Sequence, residues 1–127
     1  MQKPRISTAI LGAILVLSAT VVQARPQLLG STPADHEDVE PGVRITLNFS
    51  QKLRLPASGA VLFMTSMPGM SHHPQMGMAV NVMPSADGKS LLIVPEQPLP
   101  RGTYRVDWKA VSADRHPVKG RVDFRVP

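Results

Sequence analysis

From residue 43 onward the chain alternates. In VRITLNF, Val43, Ile45, Leu47 and Phe49 fall on one side of an extended backbone, with Arg44, Thr46 and Asn48 on the other. TYRVDWKA repeats this, with Tyr104, Val106, Trp108 and Ala110 against Arg105, Asp107 and Lys109; RVDFRV follows with Val122, Phe124 and Val126. A period of two is that of strands with one face on a core and one in water. GAVLFM and SLLIVP are more continuously apolar, as interior strands are, and QLLGS and MAVNV complete a set of about seven. Twelve of the thirteen prolines lie beyond residue 24. They exclude helix interiors and central strands, and with the turn segments TPAD, EPG, LPASG, PSADGK and PEQPLPRG they mark connections. The pattern predicts an all-β fold: an antiparallel sandwich of about seven strands, of the immunoglobulin-like type.

The first 24 residues read differently. Lys3 and Arg5 precede the apolar run AILGAILVLSATVV, and VQA then offers small residues at the positions a signal peptidase reads. This is the layout of a secretory signal peptide. The run is short for a spanning helix and carries Ser18 and Thr20. Cleavage after Ala24 of the 127-residue chain would leave 103 residues, 25–127, as one exported domain beginning RPQLLGSTPADHE. The chain has no cysteine, so neither disulfides nor thiolate metal ligands are available to it.

Without Lys3 and Arg5, twelve basic residues face nine acidic ones, a net charge of +3. The basic residues are dispersed, many on the polar side of the alternating segments, and aromatics are few. A nucleic-acid surface is therefore not expected.

One segment does not fit the alternation. MTSMPGMSHHPQMGM, residues 64–78, holds Met64, Met67, Met70, Met76 and Met78 together with His72 and His73, interrupted by Pro68, Gly69 and Pro74. Beyond it, the exported chain keeps only Met83. Methionine as core filler would follow the period of an element; spacings of three, three, six and two fit no single strand face. A methionine-rich partner surface would have no need of the two histidines. Thioethers and imidazoles together suit copper(I): a thioether is neutral, polarisable and stays a ligand in acid, and it favours the soft monovalent ion over harder divalent ones. Such a loop can close a trigonal or tetrahedral site without cysteine, and in an oxidising compartment it avoids thiols that copper would oxidise.

A second constellation is SADRHPVKG, between two alternating segments. Asp114 and His116 are two residues apart, so in extended backbone they project the same way. A carboxylate and an imidazole form half of a copper(II) site, or else a local hydrogen bond. Trp108, on the strand leading into this loop, is expected in the core.

Three stretches together, P-x-L-x-x-STPAD, MTSMPGMSHH…M and GTYRVDWKAVSAD-x-HPVKG, resemble the CopC family of periplasmic copper-resistance proteins over essentially the whole of residues 25–127. The resemblance implies a seven-stranded Greek-key sandwich that carries copper and is not a catalyst. It implies copper(I) ligands drawn from Met64, Met67, Met70, Met76 and His72, with His73 as the alternative imidazole and Met78 in reserve. It also implies a copper(II) site from Asp114, His116 and the new amino terminus. Here that terminus departs from the family pattern, in which a histidine gives both amine and ring. Arg25 keeps its side-chain proton and can offer only its amine, with His36 a further imidazole within reach of consideration. Copper(II) binding is expected to be weakened, or given up in favour of copper(I).

The expected function is that of a periplasmic, monomeric copper chaperone, and the resemblance implies that it hands its ion to an inner-membrane copper transporter or a multicopper oxidase. The competing reading is an immunoglobulin-like interaction module whose methionines scavenge oxidants reversibly. An enzyme is not expected: the sequence has no cysteine nucleophile, serine elbow or glycine-rich phosphate loop.

Overall fold

The computed structural model describes residues 25–70, 74–113 and 115–127. The expected signal segment, residues 1–24, lies outside the described residues. The strands are β1 (Leu28–Thr32), β2 (Glu37–Asp38), β3 (Ile45–Phe49), β4 (Gly59–Ser66), β5 (Met76–Met78), β6 (Val80–Pro84), β7 (Ser90–Pro95), β8 (Gly102–Val111) and β9 (Pro117–Val126). They form a four-stranded sheet in the order β1-β3-β7-β6 and a five-stranded sheet in the order β2-β9-β8-β4-β5. Among the described residues there is no helix.

The alternating segments become the core-forming strands. Ile45, Leu47 and Phe49 of β3 and Leu91 and Ile93 of β7 are buried from one sheet. Leu62 and Met64 of β4, Tyr104, Val106, Trp108 and Ala110 of β8, and Val122, Phe124 and Val126 of β9 are buried from the other. These side chains form one continuous apolar cluster between the sheets. Aromatic contacts set its ends: Tyr104 stacks on Phe124 at 5.4 Å between centroids, and Phe49 meets Trp108 edge-on at 5.1 Å. The Tyr104 hydroxyl donates to the carbonyl of Pro100, so its polar tip is satisfied while its ring stays dry. The more continuously apolar GAVLFM and SLLIVP are interior strands, β4 and β7, as expected.

Two features depart from the sequence reading and raise the strand number to nine among the described residues. MAVNV is not one strand: Met78 ends β5 in the five-stranded sheet, and after Ala79 the chain begins β6 in the four-stranded sheet. The second is β2, only two residues long and parallel to β9 through the pairs Glu37–Phe124 and Asp38–Arg125. So short a segment has no alternation to read. Prolines stand at strand ends, Pro84, Pro95 and Pro117, where no interior ladder bond is lost.

Strands β8 and β9 run antiparallel in unbroken register from Gly102–Val126 to Val111–Pro117. Ten residues of β8 span about 30 Å at ~3.3 Å per residue. They separate two ends of the sandwich. At one, β8 begins beside the last residues of β4, where Ser66 pairs with Thr103. At the other, β8 ends in the 112–116 connection to β9.

Candidate functional site

The methionine segment folds as a hairpin extension of the five-stranded sheet. Strand β4 carries Met64 into the core, where it is 1% exposed. The register then shifts between Met64 and Ser66, and the chain leaves the sheet. Met67, Pro68, Gly69 and Met70 make a tight turn: Met70 N–H donates to the Met67 carbonyl at 3.2 Å, and Gly69 has φ +80°. Proline followed by a glycine at positive φ is the sequence of a type II turn, which brings its first and last Cα atoms within about 7 Å. Met67 and Met70 are thereby drawn together. The chain returns through Pro74 and Gln75 into β5, which pairs with β4 through Met76–Met64, Gly77–Phe63 and Met78–Leu62.

The five methionines thus differ in availability. Met70 is 50% and Met76 49% exposed. Met67 and Met78 are half-buried and pack against the core. Met64 is enclosed by the cluster and packs as the core filler that the spacing had seemed to exclude. Met76 and Met78 also lie in a strand, so only Met67 and Met70 stand outside regular structure. His72 and His73 lie outside the described residues. A groove of about 310 Å³ runs beside Met67, lined in part by Pro68, Arg101, Gly102 and Val126.

The return arm is tied down by a contact that no motif announces. Arg105, on the outer face of β8, donates from Nη2 to Gln75 Oε1 at 3.0 Å. Its guanidinium is gripped by Asp107 through Nε–Oδ1 at 2.9 Å and Nη2–Oδ2 at 3.2 Å, and it lies 5.5 Å from the centroid of the Phe63 ring. The alternation alone places Arg105 and Asp107 on one face; nothing in the sequence indicates that the arginine reaches the loop.

At the opposite end, His116 is exposed and immediately precedes β9. The 112–116 connection turns through a bond from Arg115 N–H to the Ser112 carbonyl at 3.0 Å, with Arg115 at φ +64°. Asp114 lies outside the described residues. The Arg25 segment belongs to this same end. Gln27 and Ser50 exchange two 2.9 Å bonds, Ser50 follows Phe49, and Phe49 contacts Trp108 near the end of β8. Trp108 is 7% exposed, the core residue expected.

His36 belongs elsewhere. Its N–H donates to the Asp123 carbonyl at 2.7 Å, on the flank of β9 six residues past Pro117. The ligating atoms of Asp35, His36 and Asp123 lie within 4.8 Å of one another. The Asp35 carboxylate, the His36 ring and the Asp123 backbone fasten the β1–β2 connection: Asp35 accepts from Asp123 N–H at 2.9 Å and pairs with His36 Nε2 at 3.2 Å. Nearby, Arg125 and Asp38 form a two-point bridge at 2.9 and 2.8 Å, which holds the Asp38 carboxyl below its ordinary pKa.

The profile of the CopC domain matches residues 28–127. The chain belongs to the CopC family. It is 48% identical over 115 residues to copper resistance protein C of Escherichia coli, covering 91% of each chain. It is 45% identical to copper resistance protein C of Xanthomonas campestris pv. juglandis, covering 95% of this chain and 94% of the relative. The crystal structure of PcoC, a methionine-rich copper resistance protein from Escherichia coli, superposes with a TM-score of 0.72 at 48% identity, over 82% of this chain and all of that one. The resemblance drawn from three short stretches therefore holds across the domain, and the two-sheet architecture is that of the CopC fold.

Proposed function

We propose that this CopC-family protein is a copper carrier of copper resistance and homeostasis, exported to the periplasm by residues 1–24 and active as the domain 25–127. It binds copper(I) at the methionine hairpin and passes it on by ligand exchange; it does not catalyse a reaction. The observation that carries this reading is the hairpin itself. A type II turn sets Met67 beside Met70, and a short edge strand carries Met76 opposite Met64 on the return arm, with Met70 and Met76 half exposed. Neutral sulfur donors on a surface loop suit a soft monovalent ion that must enter and leave. His72 or His73 supplies an imidazole. Met64, in the core, is not among the ligands proposed here.

The other end is proposed as a weaker copper(II) site, from Asp114, His116 and the amine freed at Arg25. Its support is that the Arg25 segment and the 112–116 connection share one end of the sandwich. An inner-membrane copper transporter or a periplasmic multicopper oxidase would receive the ion, with the carrier acting as a monomer.

The test is a copper(I) competition titration of residues 25–127 against a chromogenic cuprous chelator. Stoichiometric binding that is lost in Met67→Leu/Met70→Leu is expected. Binding indifferent to that change would instead favour an interaction module. Calorimetric titration with copper(II) tests the second site; an affinity unchanged by His116→Ala removes it.

A further inference from the structure

We propose that Arg105 is a positioning residue for copper(I) binding, acting as a strap that fixes the return arm of the methionine hairpin. The inference rests on the copper(I) reading of that hairpin and adds a residue that touches no metal.

The strap crosses a strand. In the sheet order β8-β4-β5, Arg105 pairs with Phe63 of β4, and Phe63 pairs in turn with Gly77 of β5. The guanidinium leans over the Phe63 ring and ends on the Gln75 amide, one residue before Met76 enters β5. Among the described residues of the loop, 67–70 and 74–75, this is the side-chain hydrogen bond that joins it to the body of the sheet.

Three restraints act on one planar group. The Asp107 carboxylate takes two of its N–H donors, the aromatic face supports its plane, and a remaining donor is left aimed at Gln75. Bonds from a charged donor are stronger than neutral ones, and the fork of an arginine fixes direction as well as distance. Asp107 lies two residues along the same strand, so it shares a face with Arg105 and holds the guanidinium whether or not the loop is in place. The anchor is preformed, and the arm docks to it.

The consequence concerns affinity. A ligand-bearing arm that is already ordered in the copper-free protein has less freedom to lose when the ion binds. Freeing the arm should leave every sulfur in place and still weaken the site.

The experiment is a double-mutant cycle on residues 25–127. Copper(I) affinity is measured by chelator competition and copper-free stability by thermal unfolding, for Arg105→Ala, Gln75→Ala, the pair, Arg105→Lys and Met76→Leu. Expected is a roughly three- to tenfold loss of copper(I) affinity in each alanine variant, with the pair no weaker than the worse single. Gln75→Ala, a change at an exposed loop position, should leave the melting temperature unchanged. Arg105→Lys should not restore affinity, since an ammonium cannot bridge Asp107 and Gln75 as a fork does. Wild-type affinity in both alanine variants, or losses that simply add, would overturn the strap provided Met76→Leu does weaken binding. A Met76→Leu protein that binds as tightly as wild type would overturn the hairpin reading and the strap with it. Gln75→Ala keeps the outcome decisive even if Arg105→Ala proves unstable.

Discussion

Gly120 lies directly across from Trp108 in the β8–β9 ladder, and the indole fills the space a side chain at 120 would need. A Cβ there would stand 2.3 Å from Cζ2 and 2.7 Å from Cε2 of the tryptophan. Neither the ring, packed against Phe49, nor the ladder backbone can retreat without cost. Gly120→Ala is expected to destabilise the domain by about 1–3 kcal/mol, lowering the melting temperature by roughly 5–15 °C. A circular-dichroism melt checks this, and an unchanged midpoint would show that the indole shifts freely.

Met64 and Met76 face each other across β4 and β5, yet they should answer differently to the same change. Met64→Leu is a near volume-conserving swap in a sealed core, expected to cost less than about 1.5 kcal/mol and to leave copper(I) affinity unaltered. Met76→Leu removes a half-exposed thioether and should weaken copper(I) binding with little change in melting. Chelator competition and thermal unfolding, run on both variants, separate the roles. Equal loss of copper binding in the two would return Met64 to the ligand set.

Burial raises the Tyr104 hydroxyl from a pKa of 10.0 to about 12. The folded protein keeps this proton where the unfolded chain has released it. The contribution is fully present below pH 10 and is lost as the pH rises from 10 to 12. Urea unfolding at intervals across that range should show it. Tyr104→Phe should be less stable near neutrality, for want of the bond to Pro100, and should lack this part of the alkaline decline. Parallel curves for the two proteins would contradict the assignment.

Trp108 reports on the far end of the molecule. It lies in β8 three residues before Val111 and the 112–116 connection. Paramagnetic copper(II) bound by His116 should quench its emission, whereas closed-shell copper(I) at the hairpin, beyond the opposite end of β8, should not. A fluorescence titration with each ion tests this, with His116→Ala expected to abolish the copper(II) response. Quenching that survives in that variant would place the ion elsewhere.

What could be read from the sequence follows from where periodicity exists. Ile45, Leu47 and Phe49, or Tyr104, Val106 and Trp108, announce their burial because a strand repeats every two residues. The hairpin is legible in its chemistry and less so in its shape. Met76 and Met78 share a strand face, but three residues are too few for a pattern to stand out. Met64 closes GAVLFM as an ordinary core position, and the neighbouring methionines drew it into the loop's chemistry rather than the strand's. The strap from Arg105 to Gln75 joins residues thirty apart. Only the strand order brings them together, and no local rule carries that information. The same holds for His36, whose place beside Asp123 depends on a two-residue parallel pairing.

The length of β8 has a consequence for occupancy. Ions held at its two extremities would be separated by several screening lengths, since the Debye length is about 8 Å at physiological ionic strength. Neither would feel the other's charge, and the ladder between them is continuous from end to end. Loading should therefore be strictly additive, with each terminus filled or emptied according to its own chemical potential. A single carrier could then surrender one oxidation state of its cargo while retaining the other.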